Sequence, residues 1–115
     1  MSINIAMITF DCSDPDGLAE WWSKAVDGVV NAVAPGNFVM VAPQGGPALG
    51  FQKVPDPTPG KNRVHLDLHA ADKETEVARL TGLGARETGR HSFGPDFDWV
   101  VMADPAGNAF CVVGG

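Results

Sequence analysis

Alternating hydrophobic and polar residues predict a strand near the beginning of the chain, over residues 3–12. Ile8, Phe10 and Cys12 fall on one side of this strand. Met7, Thr9 and Asp11 fall on the other. The alternation predicts that one side of the strand packs into a core.

A helix is predicted after this strand, because Asp14 is a preferred N-cap and Pro15 suits the first helical position. Its hydrophobic residues recur at helical spacing, at Leu18, Trp21, Trp22 and Ala25. We interpret the two tryptophans as core residues rather than a stacking platform, and Gly28 is placed to end the helix.

The same order of features recurs 58 residues later, where His65–Asp72 matches Met7–Asp14. Asp72 is the predicted cap of a second helix that ends at Gly84. Val77, Leu80 and Leu83 form its hydrophobic side. The short β-rich runs repeat as well: Phe38–Ala42 with Trp99–Ala103, and Leu49–Val54 with Ala109–Val113. Further strands are predicted near residues 29–34 and 86–91.

These elements predict an α+β fold in which two strand–helix–strands units pack together in one domain, residues 1–115. Unit 1 covers about 1–55, a linker rich in Pro and Gly about 55–62, and unit 2 about 63–115. The helices should cover the outer face of curved mixed sheets, whose other face should enclose a cavity.

Composition narrows the classes of protein. Hydrophobic residues make up 44% and charged residues 19%, so neither disorder nor a membrane protein is expected. The net charge of −6 argues against nucleic acid as a partner. No secretion signal is apparent in the N-terminal segment, so the cytoplasm is the expected location. Cys12 and Cys111 are expected to be buried reduced thiols, although a bridge between neighbouring strands stays conceivable.

Strand alternation also indicates which side chains face the cavity. In the run 63–69, Val64, Leu66 and Leu68 should pack under a helix. The residues expected on the opposite side are Met7, Thr9, Asp11, Gly50, Gln52, His65, Asp67, His69, Trp99, Val101, Ala109, Cys111 and Val113. We interpret the loop His91–Asp96 as a cavity rim or plain connector rather than as a catalytic loop.

His65, Asp67 and His69 suggest a metal site, but successive members of this set lie about 7 Å apart along a strand. That spacing is too wide for all three to bind one ion at about 2.0–2.2 Å. We therefore expect at most one ligand from this run, with any others on different strands. The alternative is a polar face that is only solvated or hydrogen-bonded.

Four motifs together resemble the glyoxalase-like domains of the vicinal oxygen chelate superfamily: DCSDPDGLAEWW, RVHLDLHAAD, LTGLGAR and DPAGNAFCVV. That superfamily includes glyoxalase I, bleomycin-resistance proteins and extradiol dioxygenases. The resemblance implies paired βαβββ units, a homodimer, and in many members a divalent metal held by both units. His65 matches a family ligand position, whereas Met7 or Thr9 and Gly50 or Gln52 stand at two others. Ala109 stands where metal-binding members carry Glu, and its methyl group cannot coordinate an ion.

From the resemblance, and from Ala109 in place of the family Glu, we predict a metal-independent protein that binds a small organic molecule. We expect no cofactor and no membrane partner. The predicted pocket comprises Met7, Thr9, Gln52, His65, Asp67, Trp99 and Ala109, with Phe51 or Phe93 nearby. Two alternatives stay open. One is an enzyme of the superfamily in which His65 is a catalytic acid or base oriented by Asp67. The other is a vestigial or regulatory dimer.

Overall fold

A computed structural model describes residues 5–60, 62, 64–92, 94–95 and 98–114. The chain divides into two compact units, Met1–Pro57 and Thr58–Gly115. Within the described residues, each unit has one helix and a four-stranded mixed sheet. The predicted α+β class and its two βαβββ units are therefore confirmed.

Unit 1 forms a sheet of strand order β1-β4-β3-β2, in which β1 and β4 are parallel and the other neighbours antiparallel. Its elements are β1 (Met7–Cys12), α1 (Pro15–Ala25), β2 (Val29–Ala34), β3 (Phe38–Ala42) and β4 (Ala48–Lys53). Residues 3 and 4, at the start of the predicted first strand, lie outside the described residues.

The core of unit 1 forms where α1 contacts β3 and β4. Trp22 and Phe51 are fully buried, and Phe10 contacts both rings at centroid distances of 5.6 and 5.2 Å. Trp21 is also buried, so the interpretation of the tryptophan pair as core is confirmed. The expectation that Phe51 lies near a ligand cavity is wrong, because its side chain belongs to this core.

The N-terminus of α1 is capped as predicted, since the Asp14 carboxylate accepts a hydrogen bond from Gly17 N at 3.2 Å. The C-terminal end differs in detail. The left-handed residue is Asp27, with φ of 53°, and not Gly28. Gly28 is needed for space, because a Cβ there would lie 2.7 Å from Val41 Cγ1. The glycine thus permits the turn to approach β3 closely.

Unit 2 repeats the topology, with strand order β5-β8-β7-β6 and β5 parallel to β8. Its elements are β5 (Leu66–His69), α2 (Lys73–Gly82), β6 (Arg86–Ser92), β7 (Asp98–Ala103) and β8 (Ala109–Val113). Asp72 caps α2 by accepting from Thr75 N at 3.2 Å. Gly84, with φ of 112°, follows the last turn, as the sequence predicts.

Along β7 and β8, successive side chains point alternately into the core and to the opposite face of the sheet. Val100, Met102, Phe110 and Val112 are each at most 1% exposed, and α2 adds Val77 and Leu80 to the same core. Leu66 and Leu68 are half-buried. The prediction for Val64 is wrong, because β5 begins only at Leu66 and Val64 is 76% exposed.

The turn between β7 and β8 is organised by one buried carboxylate, Asp104, which is 3% exposed. It accepts hydrogen bonds from Ala106 N and Asn108 N, both at 2.9 Å, and from Asn108 Nδ2. Gly107 has φ of 91°, which favours glycine. The DPAGN sequence therefore sets where β8 begins.

Both cysteines are buried, and they belong to different units. The expectation that both thiols are buried is confirmed, and their reduced state stays a prediction. Among the described residues, no helix is long and apolar enough to cross a membrane.

Asp104→Ala should lower the free energy of unfolding by about 2 kcal/mol, because it leaves the N–H groups of Ala106 and Asn108 without their charged acceptor. Asp104→Asn, which keeps one carbonyl oxygen, should be intermediate. Urea unfolding followed by circular dichroism measures both. Asp56→Ala, at an exposed position, is the control and should leave stability unchanged; an Asp104→Ala protein as stable as the wild type would contradict this role.

Candidate functional site

The face of the unit 2 sheet that points away from α2 contains the histidine, aspartate and cysteine side chains that could bind a ligand or transfer a proton. We call it the open face of unit 2. Its members come from every other position of the paired strands. They are His65, Asp67, His69, Gly89, His91, Trp99, Val101, Ala109, Cys111 and Val113.

Three donor atoms converge at one end of this face. His65 Nε2 lies 3.4 Å from Asp67 Oδ1, and Cys111 is on β8 directly opposite Asp67. One ligand atom from each of the three residues lies within 4.8 Å of the other two. The side chains of His65 and Asp67 are 41% and 60% exposed, whereas Cys111 is 5% exposed. The cluster therefore has a buried thiol beneath two accessible polar groups.

The prediction that the run 63–69 offers at most one ligand is corrected by this geometry. Neighbouring residues on one side of a strand are about 7 Å apart at Cα, but the His65 and Asp67 side chains lean toward each other along the strand. His69 is not a member of the cluster. Arg63, within the same run, lies outside the described residues.

Ala109 is held at the start of β8 by Asn62, from the predicted linker. Ala109 N donates to Asn62 Oδ1 at 2.7 Å, and Asn62 Nδ2 donates to Ala109 O at 3.3 Å. Asn62 Nδ2 also donates to Val64 O. The side-chain amide thereby pairs with the backbone of position 109 in the way a neighbouring strand would.

A cavity of about 340 Å³ lies beside Ala109, over β6 and β7. Arg86, Thr88 and His91 supply its polar lining, and apolar groups supply the rest. The other lining residues are Gly89, Val101, Met102, Ala103, Gly107 and Ala109. Arg86 is exposed and has no ion-pair partner in the part of the chain that the structure describes. The cavity thus presents an uncompensated cation next to an apolar wall.

A second cavity, of about 220 Å³, lies next to Trp99 and is lined by charged groups. The Trp99 and His91 rings are 5.6 Å apart between centroids. Lys73 Nζ donates to Asp98 Oδ1 at 2.7 Å, and this hydrogen bond, followed by the charge of Lys73, lowers the pKa of Asp98. His91 lines both cavities.

Arg90 borders the second cavity and is held by two carboxylates. It donates to Glu74 at 2.7 and 2.8 Å and to Glu87 at 2.7 and 3.0 Å. Those hydrogen bonds lower the pKa of both glutamates and raise the pKa of Arg90. Because its charge is compensated, Arg90 is less suited than Arg86 to attract an anionic ligand.

In unit 1, the residues predicted for the pocket lie on one face of β1 and β4. Thr9 is opposite Gly50, and Asp11 is opposite Gln52. A Cβ at Gly50 would lie 2.9 Å from both Met7 Sδ and Thr9 Oγ1. Met7, Thr9 and position 50 are therefore close together, with Gln52 further along the same face. Their role in a pocket stays a prediction.

The amino-acid sequence shows which protein family this chain belongs to. The profile of the glyoxalase-like domain matches residues 7–113. The chain belongs to this family. This confirms the resemblance carried by the four motifs. No curated protein matches the chain significantly.

Solved structures similar to this glyoxalase-like protein span nearly its whole length. A glyoxalase/bleomycin resistance protein/dioxygenase family enzyme from Burkholderia phytofirmans PsJN has a TM-score of 0.82 at 14% identity, covering 97% of this chain and 98% of that one. TnmS3, an antibiotic binding protein from Streptomyces sp. CB03234, has 0.74 at 24%, covering 99% and 98%. Lactoylglutathione lyase from Agrobacterium tumefaciens has 0.72 at 19%, covering 97% and 93%. At these identities the likeness shows the fold alone.

The divalent metal that the family implies does not fit the family positions of this glyoxalase-like protein. In unit 2, His65 is a competent ligand, but Ala109 offers only a methyl group where a carboxylate is required. In unit 1, Met7 and Gly50 supply no nitrogen or oxygen side-chain donor, and the nearby Thr9 and Gln52 are neutral. We derive no chemical step through such a metal.

Several residues of the site were not predicted. Arg86, Thr88 and Gly89 lie on a strand that the sequence indicated only weakly. Cys111 was placed on the correct face but interpreted only as a buried thiol. Its position two residues after Ala109, on the same side of β8, was the available signal. Phe93 and Asp96, both in predicted features, lie outside the described residues.

Lys73→Met should raise the pKa of Asp98 toward its ordinary value of 3.8, because the ammonium donor is removed. A carboxyl pKa lowered in the folded state stabilises the fold at neutral pH, and this stabilisation is lost as pH falls through the folded-state pKa. The variant should therefore lose less stability below about pH 4. Carboxyl NMR titration measures the pKa directly. Lys24→Met on α1 is the matched control, and an unchanged Asp98 pKa in Lys73→Met would contradict the assignment.

Proposed function

We propose that this glyoxalase-like protein binds a small organic molecule with an apolar, aromatic body and an anionic group. The cavity beside Ala109 is the observation that carries the proposal. Its size suits a small metabolite, and its lining combines apolar groups with the polar side chains of Arg86, Thr88 and His91.

Arg86 is the group that favours an anionic ligand. Its guanidinium lies at the cavity without an ion-pair partner among the described residues. A carboxylate bound there would accept charge-assisted hydrogen bonds. His91, whose ring contacts Trp99, supports an aromatic ligand at the same edge.

We further propose that this binding requires no metal at the family positions. Ala109 leaves room for the ligand where metal-binding members place a carboxylate. One structurally similar protein, TnmS3, is described as an antibiotic binding protein. We extend binding of a small organic molecule to this chain as part of the proposal.

A proton-transfer enzyme is the second candidate, and the pairing of His65 with Asp67 favours it. Asp67 beside Nε2 favours the tautomer that carries its proton there, which leaves Nδ1 free to act as a base. The pair is accessible, because both side chains are more than a third exposed. Such a pair would remove a proton next to a carbonyl group.

The homodimer and the cytoplasmic location stay proposals that rest on the family and on the sequence. The exposed valines of the edge strand β2, namely Val29, Val30 and Val33, are compatible with a protein partner.

The binding proposal predicts that 2-naphthoate binds in this cavity more tightly than 2-naphthamide. Arg86→Gln should weaken naphthoate binding by about two- to fivefold, as expected for a partly exposed ion pair, and leave naphthamide binding nearly unchanged. Ala109→Phe should weaken both by about tenfold or more, because the ring fills the cavity. Isothermal titration calorimetry measures these affinities, and EDTA should not alter them.

The matched controls are Arg79→Gln and Thr81→Phe, both on α2. Neither should change the affinity of either probe. Failure of both naphthalene compounds to bind at millimolar concentration would contradict the proposal. Undiminished binding to Ala109→Phe would also contradict it, since the ligand would then lie elsewhere.

The proton-transfer candidate predicts exchange of α-protons of hydroxyacetone with D₂O, followed by proton NMR. His65→Gln should slow the protein-dependent exchange by about 100-fold or more, the usual contribution of a general base. His69→Gln is the control, because His69 is on the same strand but outside the cluster. Exchange that is absent in the wild type, or equal in His65→Gln, would exclude this candidate.

A further inference from the structure

We propose that unit 2 contains a binding site for a thiophilic divalent cation of the Zn²⁺ class, formed by His65 Nε2, Asp67 Oδ1 and Cys111 Sγ. This inference does not depend on the proposed function. It rests on the convergence of three different ligand types from β5, its N-terminal extension and β8.

The separation of the donor atoms fits one ion. Zinc binds imidazole nitrogen and carboxylate oxygen at about 2.0–2.2 Å, so two such ligands around a tetrahedral ion lie about 3.4 Å apart. The observed distance between His65 Nε2 and Asp67 Oδ1 is 3.4 Å. A normal N–H···O hydrogen bond would be about 2.7–3.2 Å. One tetrahedral cation could therefore bind both atoms at their present separation.

Cys111 completes the set from the neighbouring strand. The register that puts Cys111 opposite Asp67 brings its sulfur within 4.8 Å of one imidazole nitrogen of His65 and one carboxylate oxygen of Asp67. A thiolate bound to zinc lies slightly further from the ion, at about 2.3 Å. Around a tetrahedral ion with these bond lengths the sulfur would lie about 3.6 Å from each of the other two donor atoms, so binding requires the side chains to move closer together.

The chemical types of the three donor atoms indicate which metal ion the site would prefer. A thiolate with an imidazole favours Zn²⁺ and related ions, whereas Mg²⁺ and Ca²⁺ prefer sites made only of oxygen. Two of the three side chains are accessible, so an ion can enter from solvent, and a water molecule can occupy the fourth position. Bound there, the ion would tie β5 to β8 and stabilise unit 2.

This site is not the metal site that the family implies. It shares His65, but its other donors are Asp67 and Cys111 instead of a residue at position 109 and ligands from unit 1. Position 111 is two residues beyond Ala109 and on the same face of β8. The donor set is thus shifted along the β5–β8 pair by one step of the strand repeat.

The experiment titrates the reduced, metal-free protein with Co²⁺ and then Zn²⁺, in a phosphine reductant that does not compete for metal. The wild type should bind one Co²⁺ per chain and show the near-ultraviolet charge-transfer absorption of a cobalt–thiolate bond. Zn²⁺ should displace Co²⁺ and raise the melting temperature. Binding should weaken as pH falls, because the ligands must be deprotonated.

Cys111→Ser should abolish the charge-transfer absorption, whereas Cys12→Ser, which changes the other buried thiol, should retain it. Asp67→Asn changes an exposed side chain and should weaken Zn²⁺ binding by about 10–100-fold, at least the loss seen when outer-shell partners are removed. His69→Gln should bind as the wild type does. Circular dichroism of each metal-free variant checks the fold.

Three outcomes would overturn the proposal. One is the absence of stoichiometric Co²⁺ or Zn²⁺ binding by the wild type. Another is a thiolate signal that is lost in Cys12→Ser and kept in Cys111→Ser. The third is a Zn²⁺ affinity of Asp67→Asn equal to that of the wild type, a result that remains decisive if Cys111→Ser does not fold.

Discussion

The parallel pairing of β5 with β8 is the constraint on which the chemistry of unit 2 depends. It puts Asp67 opposite Cys111 and Leu66 opposite Phe110. Because side chains alternate along a strand, this register sends the apolar pair toward α2 and the polar pair to the open face. A shift of β5 by one residue would turn Asp67 toward α2 and Leu66 to the open face. The hydrophobic core therefore determines which donor atoms can meet.

That core is predictable from the sequence, because it follows from regular spacing. The helical stripe that includes Trp22 and the caps at Asp14 and Asp72 depend only on neighbours within a few residues. The 58-residue offset between the units adds long-range information, since it implies the same topology twice. The failures occur where strands end. Val64 continues the alternation of β5 in the sequence, yet it lies before the first paired residue and is exposed.

The site was less predictable, because it depends on side-chain direction and on pairing between distant segments. Strand spacing gives the distance between the Cα atoms of His65 and Asp67, but the lean of the side chains reduces the donor separation to 3.4 Å. Arg86 could not be recognised as a cavity residue, since nothing local distinguishes it from Arg90. The difference is that Glu74 and Glu87 compensate only Arg90.

The open face of unit 2 has both a cavity and a cluster of donor atoms, because Ala109 and Cys111 occupy successive positions on the same side of β8. The small side chain at 109 leaves space, and Asn62 fixes that space by holding the backbone. The sulfur at 111 lies one strand repeat further on, beneath His65 and Asp67. Loss of a carboxylate at 109 therefore removes a ligand from the family position without removing donors from the face. In the proton-transfer candidate, Nε2 of His65 carries a proton directed at Asp67, whereas in the cation site the ion replaces that proton. The two uses of His65 exclude each other, so metal occupancy would determine whether the imidazole can act as a base.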